Sequence, residues 1–331
     1  MIKQSTRLPR FSRFEYVGDL LNEVSQSSDW NAIEQRLTMR KKEFERLKFL
    51  ATGKGKRVLS KSGKSKDLTN DCIAMAIKTE LITKNGSYQI TKNGQNLLNT
   101  CNESGIHEID FKMACLQSYF IFYPFVLDIL FALSKKENAE INFPDTRHVK
   151  HLEFIEIENI FGIKTDVVSM MVVRDIFNQC GLVNWKSIKV NDLPFWKIFL
   201  TCKISTKNEN KKNLKVKKNN LTYYITPNEP NSGSFETSFW NKYMELSENN
   251  SDIPVYYWDL RIRVCEELRI SDYIYDIYFK NILKSKNFRV TCAAGAIPSG
   301  NTQGNLLKNL PPRKDDEFWM VYVSVSTREI S

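Results

Sequence analysis

The stretch ELITKNGSYQITKNGQNLLN, Glu80 to Asn99, runs off one helix, crosses a short hairpin and enters a second helix. Asn-Gly is the favoured two-residue hairpin turn because both of its positions take positive φ. Ile82 to Thr91 is therefore expected as strand, turn at Asn85-Gly86, strand, with TKNGQNLLN closing the unit in a helical turn or two. Upstream, LTNDCIAMAIKTEL predicts a helix with Ile73, Ala76, Ile77 and Leu81 on one stripe. Ahead of that helix, TGKGKRVLSKSGKSK carries Lys54, Lys56, Arg57, Lys61, Lys64 and Lys66 with no acid among them. Earlier still, Asn31 and Glu34 have capping-box spacing and open a charged helix through MRKKEFERLKFLA. Residues 1–30 are mixed and take no assignment.

The order helix, stop, hairpin returns twice. HLEFIEIENIFG predicts a helix, and TDVVSMMVVRDIFNQCGLVNW a second one. Thr165 or Asp166 caps that second helix, Val168, Met171, Val172 and Ile176 form its buried stripe, and Gly181 stops it. NWKSIKV and FWKIFLTCKI then make a hairpin about a turn through Asn191 and Pro194. The third passage aligns Tyr257, Leu260, Val264 and Leu268 in YYWDLRIRVCEEL. Ser271-Asp272 restarts a helix with Tyr275, Tyr278, Phe279 and Ile282 in register. NFRVTCAAG and EFWMVYVSV supply two strands, separated by a long excursion from Ala296 to Asp316. Between the second and third passages lies STKNENKKNLKVKKNN, Ser205 to Asn220, with six lysines and five asparagines. So little apolar surface predicts a mobile linker or an extended wing. LTYYIT reads as a strand and SFETSFWNKYMEL as a helix.

A chain of 331 residues suits two or three domains of about 100–150 residues each. Its 42% apolar and 12% aromatic content excludes wholesale disorder. The net charge of +10, from 48 Lys and Arg against 38 Asp and Glu, favours a polyanionic partner or an acidic membrane surface. A plain Lys- and Asn-rich composition is the competing explanation. Seven cysteines never approach CxxC spacing, and no signal peptide is visible, which predicts reduced thiols in a cytoplasmic protein. YFIFYPFVLDILFAL, Tyr119 to Leu133, contains Pro124 and Asp128 and is shorter than the roughly 20 residues of a membrane span. It is expected as one buried helix, and no membrane partner is expected.

Helix, tight turn, helix and a two-stranded hairpin, as in AMAIKTELITKNGSYQITKNGQNLL, resembles the winged-helix superfamily. The resemblance covers three copies, at roughly 41–104, 150–204 and 255–326, and is a pattern rather than a signature motif. It implies a mainly α-helical α+β chain of tandem winged-helix-like domains with short β-hairpin wings. These divide as 1–104, 105–204, the linker or wing 205–220, and 221–331. It also implies double-stranded DNA as the partner, bound without catalysis, since such a fold offers one helix to the major groove and a hairpin tip to a neighbouring phosphate row. Tandem copies occur in prokaryotic transcription regulators, in recognition halves of restriction enzymes and in antiphage complexes. On this reading the basic run 54–66 contacts phosphates. Asn70, Asp71 and Lys78 face bases, Lys84, Asn85 and Lys92 occupy the wing, and Arg174 and Arg289 add contacts from the other copies. Arg261, Arg263, Arg269, Lys280, Lys284 and Lys286 join Arg289 in a second footprint, although Tyr257, Trp258, Tyr273, Tyr275 and Tyr278, mixed into the same region, equally suit a protein partner. The rival reading is a protein–protein adaptor, favoured by the helix 166–180, where Arg174 is the sole cation and Met170 and Met171 adjoin.

Catalytic patterns are weak. Pro144-Asp145 followed by Glu153 and Glu156 lacks the Glu-x-Lys of a metal-dependent nuclease. His148 and His151 with His107 offer no fixed third metal ligand. No GxxxxGK[ST] occurs, so GKGKRVLSKSGKS makes no nucleotide loop. Neither a metal nor a cofactor is expected.

Overall fold

All strands in the described residues pair antiparallel, and no sheet exceeds three strands. The computed structural model describes residues 8, 13–27, 29–40, 65–144, 154–163, 165–208, 213–293 and 322–327, with backbone only at 65–70, 144, 154–157 and 167. The chain is α+β, with more residues in helices than in strands.

The first helix, α1 (Phe14–Gln26), falls where no element is expected. Phe14, Val17, Leu20, Leu21 and Val24 recur at helical spacing and are all buried. Helix α2 spans residues 30–40. Its start is capped by Asp29, whose carboxylate accepts from Asn31 N at 3.1 Å, not by Asn31. Asp19 of α1, 3% exposed, is answered by Arg40 at 2.6 Å and Arg36 at 3.2 Å from α2. Helix α3 (Ser65–Lys78) leads into β1 (Ile82–Asn85) and β2 (Ser87–Ile90), then α4 (Lys92–Ser104). On α3, Ile77 is exposed where a buried position is expected; Cys72, Ile73, Met75 and Ala76 form the inner face instead. The hairpin also differs in register. Asn85 pairs with Ser87, so only Gly86, at φ +80°, takes the left-handed conformation.

The apolar run is two helices, not one. Helices α5 (Ile109–Phe122) and α6 (Pro124–Ser134) diverge by 107°, with Pro124 opening the second. Proline has no N–H to give to a continuing helix, but its fixed φ suits a first turn. Among the described residues, no single helix is long and apolar enough to cross a membrane.

Two sheets then share one element order. In the first, α6 is followed by β3 (Glu140–Pro144), α7 (Phe154–Phe161), α8 (Val167–Gln179), β4 (Val183–Val190) and β5 (Leu193–Leu200), with strand order β3-β5-β4. Asp166 caps α8, accepting from Ser169 N at 2.7 Å, and Gly181 at φ +70° follows its end. The buried face of α8 is rotated from the expected stripe: Met170, Val172, Val173, Ile176 and Phe177 are inside, while Val168 is exposed. In the second sheet, α9 (Ser232–Leu246) is followed by β9 (Val255–Tyr256), α10 (Tyr257–Leu268), α11 (Asp272–Ile282), β10 (Phe288–Ala293) and β11 (Tyr322–Thr327), with order β10-β11-β9. In both, the last strand inserts between the first and the second. Among the described residues the β1–β2 hairpin has no third strand.

The lysine-rich segment is not a linker throughout. Residues Leu214–Lys218 form β7, which pairs with β8 (Leu221–Pro227), and β6 (Cys202–Ser205) takes the other side of β8. Leu214 and Val216 are buried and alternate with exposed Lys215 and Lys217. Asn219 and Asn220, both at positive φ, turn the chain between β7 and β8. The expected strand FWKIFLTCKI is likewise split at Thr201, whose buried hydroxyl donates to Gly181 O at 2.8 Å.

Candidate nucleic-acid interface

The two acids of α11 both pair with one arginine of α10, Asp272 buried and Asp276 half-buried. Ile274, Tyr275, Phe279 and Ile282 face the core. Asp272 and Asp276 pair with Arg261, which is 2% exposed, at 3.5 and 3.0 Å. Burial opposes the guanidinium charge, but Asp276 and Asp272 outweigh it and push the Arg261 pKa up, so the arginine stays charged. Ser271 caps the helix by accepting from Ile274 N at 3.3 Å. The exposed residues beyond are Ile277, Lys280, Asn281, Leu283 and Lys284 on the helix and its end, then Lys286, Asn287 and Arg289 on the way into β10. Lys280, Lys284, Lys286 and Arg289 form no ion pair with any described residue. One acid lies beside them: Glu236 of α9 accepts from Asn287 Nδ2 at 3.1 Å.

A second exposed group surrounds the first hairpin. Lys84 stands 5.2 Å from the ring of Tyr88, and Lys78 stands 4.9 Å from the ring of Tyr123. Asn85 at the tip and Lys92 at the start of α4 are exposed. Thr91 caps α4, accepting from Gly94 N at 3.0 Å while donating to Glu80 O at 2.6 Å. The hairpin and the following helix are thereby held as one piece. Asp71 of α3 is half-buried. Lys54, Lys56, Arg57, Lys61 and Lys64 lie outside the described residues, as do the side chains of Lys66 and Asn70.

Arg174, expected to touch DNA, is placed elsewhere. Its guanidinium lies over the notch formed by the tilted rings of Trp185 and Trp196, 4.2 and 4.1 Å from their centroids, and pairs with Asp175 at 2.6 Å. At 9% exposure it cannot reach a phosphate, because its contacts with the two indole rings and with Asp175 hold it inside. No cation remains exposed on α8. Two of the three hairpin lysines of this unit are also engaged, and Lys189 near the tip is exposed. Lys186 meets Glu266 at 2.5 Å, and Lys197 meets Glu266 at 2.9 Å and Glu140 at 3.0 Å.

His107 is exposed, 4.0 Å from Glu15, whereas Asp145, His148, His151 and Glu153 lie outside the described residues. Among the described residues no three His, Cys, Asp or Glu side chains cluster as metal ligands. All seven cysteines are free thiols. Comparison with protein-family models, with curated proteins and with solved structures finds no match.

Proposed function

We propose that this chain is a non-catalytic duplex DNA-binding protein built from tandem winged-helix-like units. The order helix, strand, helix, helix, strand, strand with the last strand central supports two such units, at residues 124–200 and 232–327. The hairpin at 82–90 with α3 supports a third, partial one. The observation that carries the reading is the outer face of α11 continuing into β10. Four exposed cations run from the last turn of the helix that this fold presents to a major groove into β10, Lys280 on the helix and Lys284, Lys286 and Arg289 beyond it, while the helix's own acids are paired with Arg261. Lys280 is exposed on the last turn of the helix, and Lys284 follows in the turn just past its end. Phosphate neutralisation by such cations sets register and orientation without reading sequence.

The test is fluorescence anisotropy on a labelled random duplex, titrated across salt, with wild type and Lys280→Glu/Lys284→Glu/Arg289→Glu. Each lost phosphate contact lowers the log–log salt slope by about 0.9, so the triple variant is expected to lose roughly 2–3 in slope. An unchanged slope and affinity would sink the reading for this face. Reversing Lys54, Lys56 and Arg57 tests the contribution of the first unit in the same assay.

The adaptor reading retains one favourable observation. The second unit has no exposed cation on α8 and exposes Val168 there, which suits a protein contact better than DNA. Val168→Glu that leaves duplex binding intact but abolishes co-purification of a partner protein would assign that face to protein.

A further inference from the structure

The three-stranded sheet β6-β8-β7 has two unlike faces. Ile204, Leu214, Val216, Tyr223 and Ile225 point inward, with Tyr223 packed edge-on against Phe131 at 4.8 Å. The alternation of a pleated strand then puts Lys203, Lys215, Lys217 and Tyr224 together on the other face. The pairing fixes their arrangement: Lys203 is opposite Thr226, Lys215 and Ser205 are both opposite Tyr224, and Lys217 is opposite Thr222. The lysines therefore run diagonally from one edge strand to the other, over roughly 17 Å at ordinary strand spacings. The half-exposed Tyr224 ring sits at the centre of that diagonal. The three lysines are exposed and form no ion pair with any described residue, and β6, β7 and β8 contain no acidic residue. Lys218 differs, being tied to Asp128 at the strand end.

We propose that this face binds single-stranded nucleic acid. Its charge is complementary to a phosphate chain, and its central aromatic offers a stacking surface that bases paired inside a duplex cannot use. Lysines along a track with a tyrosine in its middle are the two ingredients of such a platform, electrostatic attraction and base stacking. Ser205, Thr222 and Thr226 surround the ring with hydroxyl groups that donate to phosphate or base edges. The surface is separate from the α11–β10 cations, so it stands or falls independently of the duplex reading.

The experiment measures the full-length chain on labelled dT20, rU20 and a random 20-base-pair duplex across salt. Lys215→Gln/Lys217→Gln is expected to weaken dT20 or rU20 binding and lower the single-strand salt slope by about 1.4, at roughly 0.7 per contact. Duplex affinity should stay unchanged. Tyr224→Thr is expected to weaken single-strand binding roughly 5- to 100-fold, while Tyr224→Phe, which keeps the ring, retains it. Preference for rU20 over dT20 would identify RNA as the source, and the reverse preference DNA. Unchanged single-strand affinity in the lysine variant would overturn the proposal. An equal loss on the duplex would also overturn it, by showing one shared surface. Should Tyr224→Thr fail to fold, the lysine variant decides alone, because both of its substitutions are on the solvent face.

Discussion

Gly94 and Gly86, eight positions apart, illustrate two different reasons for a glycine. A Cβ at Gly94 would sit 2.0 Å from Leu81 O and 2.9 Å from Ile90 Cγ1, so the start of α4 docks on the hairpin only without a side chain. Gly86 has open space around it and needs glycine solely for its φ of +80°. Gly94→Ala should therefore cost about 3 kcal/mol, at the upper end of ordinary overpacking, and Gly86→Ala about 1–2 kcal/mol, the left-handed penalty. Urea unfolding of the two variants checks the ranking, and equal losses would contradict it. Arg174 makes a related point about charge. A desolvated guanidinium over aromatic rings gains up to about 2 kcal/mol per aromatic face, and truncation leaves a hole beside Trp185 and Trp196. Arg174→Ala is expected to lower stability by about 2–4 kcal/mol and leave duplex affinity and its salt slope unchanged. Arg174→Lys should recover only part of that stability, because an ammonium lacks the planar guanidinium fork. A fall in slope with stability intact would restore Arg174 as a phosphate contact.

Elements show where the sequence was informative. The breaks were legible wherever one residue type forces them: Gly181 after α8, Ser271 before α11, and Asp166, one of two caps considered for α8. Faces were less legible. Apolar residues on both sides of α3 and α8 permit more than one stripe, and the packing of neighbours exposed Ile77 and Val168 instead of burying them. Of the two alternatives for residues 205–220, the linker fails at Leu214–Lys218, where composition hides alternation. Leu214-Lys215-Val216-Lys217 carries the period of a half-buried strand, but asparagines and lysines on either side lowered the average hydrophobicity. The four cations of the α11–β10 face were visible as residues. That Asp272 and Asp276 pair with Arg261 was not, since that arginine, expected in the footprint, is buried on the core side of α10, as Arg269 is taken up by Glu140. A buried β7 makes a direct prediction: Val216→Ser should destabilise by about 1–3 kcal/mol, whereas Lys217→Ser should stay within about 0.5 kcal/mol. Thermal or urea melts decide it, and indifference to Val216→Ser would return the segment to a linker.

At the scale of the molecule, the second and third units meet through a charged seam. Glu140 of β3 accepts from Lys197 of β5 and, at 2.7 Å, from Arg269 following α10. Glu266 of α10 holds Lys186 and Lys197. Asn184 reaches across to Asp272 at 3.0 Å. Burial alone would raise both glutamate pKa values, but the facing cations prevail and hold them below the ordinary value of 4.5. A carboxylate depressed in the folded state contributes stability that is fully present above its unfolded pKa and lost as pH falls through the folded one. The seam should thus be at full strength at pH 6–7 and fail on acidification below about 4.5. Burial lowers the Lys197 pKa, but Glu266 and Glu140 raise it further, so that side fails only at strongly alkaline pH. Partly exposed pairs are worth about 0.2–1 kcal/mol each. Glu140→Gln/Glu266→Gln is therefore expected to remove about 1–2 kcal/mol at pH 7 and flatten the acid limb of the stability profile by the same amount. Urea unfolding at pH 7, 5 and 3 measures both quantities. If the double variant lost stability at pH 7 yet kept the wild-type acid limb, the loss would come from packing and not from the charges. Because Lys186 and Lys197 are spent on the seam, the exposed cations that stand in groups among the described residues are those of the α11–β10 face, the first hairpin and the β6-β8-β7 sheet, with Lys189 left exposed on the β4–β5 hairpin.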